Sequence, residues 1–276
     1  MFNTKEYFKL LEDGKFQEAA EYRVSSTPEF IYKFVSLNDD DKTNTAKLAS
    51  LRNRTIWFGI PGKQNDPFEF KGFFLDKKRL TDANYPSSLI DGMQNMMESG
   101  FTLASFTGRM ENNLPMWANY ANSHHGYCMK FRVLDKSRVL PVLYEPKRIP
   151  LSVIPAQFFN AWKKLQDGNG TLEERKEAKK QMDFSAMLMK ENYFIKHESW
   201  KAEEEYRIIC SSDNLTSANG KDVYERDVGL ELVAVYTGID CEKHDEIVSI
   251  CSEISIPCYK CRLSDSDFSV FTLTKE

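Results

Sequence analysis

The sequence predicts an α+β fold: a mixed or antiparallel sheet flanked by helices, with a helical insertion. Three observations carry that prediction. Strand-forming runs and helical stretches are interspersed without the regular period of a doubly wound sheet. The apolar runs are short, and alternate or recur at helical spacing. The chain has 276 residues, 41% hydrophobic and 28% charged, which is enough apolar material for a sizeable core. There is no internal repeat, low-complexity tract or convincing linker. One domain over 1–276 is therefore expected, with an N-terminal helical extension over 1–27 and the insertion over 155–195.

The elements follow in chain order. Tyr7, Phe8, Leu10 and Leu11 mark one short helix; Gly14 breaks it, and Phe16, Ala19, Ala20 and Tyr22 mark a second. Phe30–Val35 is rich in strand formers, although Pro28 behind Thr27 also suits a helix start, so both readings stand. Thr45–Arg52 reads as a helix and Arg54–Gly59 as a strand closed by Pro61-Gly62. Ser88–Ser99, with Leu89, Met93, Met96 and Met97, fits a helix. Phe101–Thr107, Tyr127–Val133 and Leu140–Tyr144 read as strands. Phe158, Phe159, Trp162 and Leu165 form one helical stripe; Thr171 and Glu174 are spaced as a capping box opening the next helix, towards Lys190. The last third returns to strands at 204–210, 230–236, 256–263 and 268–273, with a helix over 242–253.

A formal net charge of −4 denies the chain a global nucleic-acid footprint. The N-terminus lacks the uninterrupted apolar region of a signal peptide, and no apolar run approaches the ~20 residues that cross a bilayer. A cytoplasmic protein without membrane attachment is expected. The six cysteines are then thiols by default. Cys241-x-x-His244 and Cys258-x-x-Cys261 mimic two halves of a zinc site. However, residues three apart on a strand face opposite sides, and Ile256–Leu263 reads as a strand, so inert core thiols are expected and no metal.

Three clusters combine polar groups with aromatics. They are Asn65-Asp-Pro-Phe-Glu69, the run from Asn112 to Gly126 with Trp117, Asn119, Tyr120 and His124, and Lys196-x-x-x-Trp200-x-x-Glu203-Glu-Glu205-Tyr-Arg207. Each has a plain reading as well. Asn-Asp-Pro initiates turns; Trp117 and Tyr120 pack from a helix while Asn119 and His124 face water; the glutamates sit on a solvated strand. A strand through this last stretch would place Glu203 and Glu205 on one face.

Taken together the clusters resemble the bacterial domain-of-unknown-function 2971 family over roughly residues 28–275. The resemblance rests on Ile31-Tyr32-Lys33-Phe34, on Leu51-Arg52 and Ile56-Trp57-Phe58 leading to Asn65–Phe68, on Met116, Trp117, Tyr120, Ala121, His124, Gly126 and Tyr127, and on Lys196, Trp200, Glu203, Glu205, Tyr206 and Arg207. Asn119 stands where the family is expected to carry its first histidine; an amide there donates and accepts hydrogen bonds but does no acid–base work. The resemblance also implies a setting in prokaryotic host defence, including phage defence.

The order of elements is in turn similar to the ADP-ribosyltransferase fold, which implies an NAD-consuming transferase. Glu205 would be the catalytic carboxylate stabilising an oxocarbenium-like ribose, with Glu203 its helper. Tyr32, Lys33, Trp57, Asn65, Asp66 and Trp117 would bind the dinucleotide, and Asn119, Tyr120, His124, Trp200 and Arg207 would shape the cleft. The acceptor is open among protein, nucleic acid and small molecule, and a regulatory protein partner is compatible with this reading. Two other classes compete. Asp66, Glu69, Glu203, Glu205 and His124 would together make an oxygen-rich magnesium site for a nuclease or phosphohydrolase. Alternatively the chain is a non-enzymatic binding module, in which Glu203 or Glu205 neutralises a buried Lys196 or Arg207. No serine-hydrolase elbow, dinucleotide fingerprint or phosphate loop is present.

Overall fold

A computed structural model describes residues 2–38, 40–60, 66–151, 153–168, 170–267 and 269–275. In chain order the elements are α1 (Thr4–Glu12), α2 (Phe16–Ser25), β1 (Phe30–Val35), α3 (Asp41–Arg52), β2 (Thr55–Gly59), β3 (Phe73–Leu75), α4 (Lys77–Asp82), α5 (Ser87–Ser99), β4 (Phe101–Thr107), α6 (Leu114–Tyr120), β5 (Tyr127–Val133), β6 (Leu140–Pro141), β7 (Leu143–Glu145) and β8 (Ile149–Leu151). They continue as α7 (Val153–Gln166), α8 (Leu172–Lys190), β9 (Ile195–His197), β10 (Glu205–Ser211), β11 (Gly220–Tyr224), β12 (Leu230–Thr237), α9 (His244–Glu253), β13 (Cys258–Leu263) and β14 (Val270–Lys275). The fold is α+β, with a mixed, mostly antiparallel sheet. Its contacts group into two compact units: Met1–Gly59, Leu103–Val142 and Lys201–Glu276 form the first, and Ile60–Thr102 and Leu143–Trp200 the second. Among the described residues no helix is long and apolar enough to cross a membrane.

The first unit is built on a ten-stranded sheet in the order β11-β2-β4-β1-β5-β12-β13-β14, with β10 pairing β4 and β6 off that path. Strands β12 and β13 run parallel, while β1–β5 and β5–β12 are antiparallel. Strand alternation divides the core into two clusters. Ile31, Met129, Phe131 and Cys258 join one, with α3 and α9 residues such as Leu48 and Ile247. Phe34, Cys128 and Cys261 join the other, with Met116 and Trp117 of α6. Cys258 and Cys261 thus lie in different clusters, as residues three apart on a strand must. Phe30–Val35 is a strand and not a helix; its neighbours β4 and β5 supply both ladders that its β-branched and aromatic residues suit.

Several boundaries move. The strand expected from 204 begins at Glu205, because Glu204 is left-handed at φ 47° and the preceding Glu198–Glu203 segment is a 3-10 helix. Glu203 and Glu205 therefore do not share a strand face. Strand 140–144 splits into β6 and β7, and the last strand starts at Val270, Phe268 lying outside the described residues. The second helix of the N-terminal pair buries Arg23 rather than Ala20: the guanidinium donates to the Tyr7 hydroxyl at 3.2 Å and to the Pro141 carbonyl at 3.2 Å.

The second unit holds α7 packed on α8, where the helical insertion was expected, and two small parallel ladders, β3–β8 and β7–β9. The capping box is present: Thr171 N–H donates to Glu174 Oε2 at 2.8 Å, and Glu174 N–H to Thr171 Oγ1 at 3.2 Å. Trp162, placed by its spacing on a packed stripe, is 46% exposed, and Ala161 beside it is buried. The side chain of Phe159 lies outside the described residues.

In the first unit, the turn after α6 is held by close backbone approach. A Cβ on Gly238 would fall 1.9 Å from the His124 carbonyl oxygen. Substituting Gly238→Ala forces backbone apart at that contact and is expected to cost about 1–3 kcal/mol, the usual range for overpacking. Urea denaturation measures it; an unchanged midpoint would show that the turn is loose.

Candidate functional site

Helix α6 carries the central cluster of the first unit. Pro115 sits in its first turn, where a missing N–H costs nothing. Met116 and Trp117 are buried; Trp117 meets Phe34 edge-on at 4.9 Å and His124 in a parallel stack at 5.7 Å. At 1% exposure Trp117 keeps no face open for a nicotinamide ring. Asn119 is exposed. Beyond the helix, Asn122, Ser123 and His124 are all left-handed, at φ 47°, 52° and 71°. Such runs are rare for L-residues because Cβ crowds the following carbonyl. Side-chain bonds hold this one: Asn122 Nδ2 donates to the Leu37 carbonyl at 2.6 Å, and His125 Nδ1 lies 2.9 Å from the Asp240 carbonyl. His124 is half-buried, and its Nδ1 has no partner among the described residues. Burial lowers its pKa, against a smaller opposite pull from the Asp240 carboxylate.

Third-cluster residues of this unit are engaged with one another. Arg207, fully buried, donates from Nε to Glu205 Oε1 at 2.7 Å and from Nη2 to Oε2 at 3.0 Å, a bidentate pair. Glu205 is itself only 6% exposed. The half-buried Glu203 accepts the Tyr120 hydroxyl.

The residues expected to bind a dinucleotide here are dispersed. Tyr32 packs in the α6-side cluster and Lys33, its neighbour on β1, points to the other side, 5.3 Å from the Phe106 ring. Lys33 Nζ donates to the Ser105 carbonyl at 3.2 Å. Burial drives its pKa down to about 8, and the Glu205 carboxylate opposes that shift. Trp57 is 40% exposed on β2, opposite Asp222 of the edge strand β11.

The first cluster lies in the second unit, where Asn65 is outside the described residues. Asp66 Oδ1 accepts the Phe68 N–H at 2.9 Å, folding the turn, and Asn192 then latches the loop: its amide donates to the Phe70 carbonyl and accepts the Phe73 N–H at 2.9 Å. This leaves Phe68 55% exposed. Lys196 is 5% exposed on β9, its ammonium 4.7 Å above the Trp200 ring. Phe68 and Lys196 line one cleft of about 170 Å³. Gly72, Pro146 and Ile195 add apolar wall, and Lys71, Lys147, Arg148, His197 and Glu145 the charged and polar rim. The sequence reading passed over Lys71 and the Lys147-Arg148 pair; a basic dipeptide following Pro146 is the signal that marks them.

Among the described residues no group of three or more His, Cys, Asp or Glu side chains is placed to hold a metal ion. His244, of the Cys241-x-x-His244 pair, is buried with its Nδ1 2.8 Å from Thr237 Oγ1.

Two predictions follow from the first unit. Glu205→Gln leaves a buried guanidinium without its counter-charge and should cost about 3–5 kcal/mol, whereas Glu205→Leu combined with Arg207→Met should cost far less than the sum of the single changes. A double-mutant cycle in urea decides; additive losses would mean that the pair is not coupled. For Lys33, the unfolded chain keeps the proton up to its ordinary value of 10.5, and the folded chain releases it near 8. Between those values the unfolded state binds more protons, so this group makes stability rise with pH. Lys33→Met should lose that part of the rise in denaturation curves from pH 8 to 10.5; an identical slope would contradict the assignment.

A family model described as "Protein of unknown function (DUF2971)" matches residues 116–208. That third of the chain runs from α6 to β10 and contains Trp117, Tyr120, His124, Lys196 and Glu203–Arg207. Neither the curated proteins nor the solved structures yield a match. Residues 116–208 are therefore similar to a family whose description names no activity.

Proposed function

We propose that the chain is a ligand-recognition module with its site in the cleft of the second unit. The meeting of Phe68 and Lys196 there carries the reading: residues of two distant clusters, one a half-exposed aromatic and one a buried cation, converge on a single concavity. In the first unit the motif residues serve the fold, since Glu205 is bound by Arg207 and Trp117 is enclosed. A regulatory role, with ligand binding read out by a protein partner, fits a site of this kind.

One observation favours a second reading. Glu203 is half-buried and receives a phenolic hydrogen bond, which orients its carboxylate. An NAD-consuming transferase would use that carboxylate, rather than Glu205, to stabilise the ribose cation.

The readings separate in two measurements on the full chain. Differential scanning fluorimetry against a metabolite library should yield compounds that raise the Tm of the wild type and not of Phe68→Ala. A ligand at 100 times its Kd stabilises by about 2.7 kcal/mol, well within detection. No shift across the library would overturn the recognition reading. Release of nicotinamide from labelled NAD by the wild type, abolished in Glu203→Gln, would establish the transferase in its place.

A further inference from the structure

We infer that the second-unit cleft takes the phosphate end of a small aromatic phosphomonoester, of which a nucleoside 5′-monophosphate is the type. The inference rests on the recognition reading above and names the chemistry of its ligand. The first argument is charge. Lys71, Lys147, Arg148 and Lys196 line the cleft against one carboxylate, Glu145, in a chain whose net charge is −4. Four cations gathered at one concavity of an acidic protein focus a local positive potential that its overall charge would not produce.

The second argument is the state of two of these cations. Lys196 is 5% exposed with its ammonium 4.7 Å over the Trp200 ring, so its place in the cleft wall is fixed. Arg148 is fixed: Nε donates to the Lys71 carbonyl at 2.5 Å, Nη2 to the Phe73 carbonyl at 3.1 Å, and the guanidinium lies 5.2 Å over the Phe74 ring. Its Nη1 donates to no described residue. A guanidinium already held by two carbonyls loses little freedom on meeting a phosphate.

Size and the aromatic ring complete the case. A cleft of about 170 Å³ is smaller than the roughly 300–1,000 Å³ that encloses a drug-sized ligand, so it admits one end of a molecule. Phe68, 55% exposed at its edge, offers a face on which the rest of the ligand can stack. A divalent phosphate answers the cation excess better than a single carboxylate does, and a flat ring answers Phe68.

Isothermal titration on the full chain tests this with adenosine 5′-monophosphate, phenyl phosphate, adenosine and inorganic phosphate. Lys147→Glu and Phe68→Ala alter exposed side chains and spare the fold. The monophosphate should bind at least tenfold more tightly than adenosine, weaken as salt rises, and lose about tenfold in each variant. Phenyl phosphate matching it would place the specificity in phosphate and ring alone, as inferred. Adenosine binding as well as its monophosphate, with the difference in Phe68→Ala retained, would overturn the phosphate and leave the recognition reading standing. Inorganic phosphate binding as tightly as the monophosphate would overturn the aromatic requirement. If none of the four binds, the inference fails; the recognition reading then stands or falls on the metabolite library.

Discussion

The buried pair of Arg207 and Glu205 is the constraint around which the first unit is arranged. A guanidinium with no exposed surface is tolerable only if a carboxylate meets it in good geometry, because desolvating either ion alone costs several kcal/mol. Two residues apart on β10, they project to one side of the strand, which is the spacing a bidentate contact on one strand requires. Tyr206 and Ile208 then fall on the opposite side and pack with the main core cluster. β10 is thus apolar on one face and ionic on the other, and it joins β4 to β6 in a position off the main path of the sheet. A strand so committed is poorly suited to presenting Glu205 to a substrate, because the carboxylate would have to abandon its partner to react.

That commitment shows why the Glu-Tyr-Arg signature can be read in two ways. A carboxylate near an arginine in a polar-aromatic cluster has the same residue types whether it stabilises a ribose cation or a neighbouring guanidinium; only burial tells them apart. The same applies to Trp117, equally plausible in sequence as a stacking platform or as core, and found enclosed by Phe34 and His124. Periodic features were legible: Tyr127, Met129, Phe131 and Val133 alternate along β5, α5 repeats its apolar positions, and Cys258 and Cys261 divide between the faces of β13. Features set by tertiary context were not. β11 is polar and pairs along β2 through register alone, β3 and β8 are too short to show a period, and the division of the chain into two interleaved units leaves no compositional boundary. Glu203 does not share a strand face with Glu205 because of one left-handed residue, Glu204, and no residue type there announces a positive φ.

Lys33 and Tyr32 show how a strand turns adjacent motif residues to separate ends. Read as a motif they form one binding element; on β1 they belong to opposite faces, Tyr32 with α6 and Lys33 above Phe106. Lys33 gives up its proton more readily than a solvated lysine because desolvation outweighs the attraction of Glu205. That ordering follows from partner geometry: Glu205 already satisfies Arg207, so its charge is shared and cannot fully compensate a second cation.

Lys196 presents the contrasting case. It is 5% exposed where Lys33 is half-buried, its ammonium sits over the face of the Trp200 ring, and it shares its cleft with three other cations. Of the four cations on this cleft Lys196 is buried, while Lys71, Lys147 and Arg148 are exposed, where solvent screens their mutual repulsion. On the proposed reading, an anion entering the cleft would be answered by these cations together. Lys71, Lys147 and Arg148 line the same cleft; Lys71 Nζ donates to the Pro67 carbonyl and Arg148 to two further carbonyls, so the loops that form the cleft also set where its cations stand.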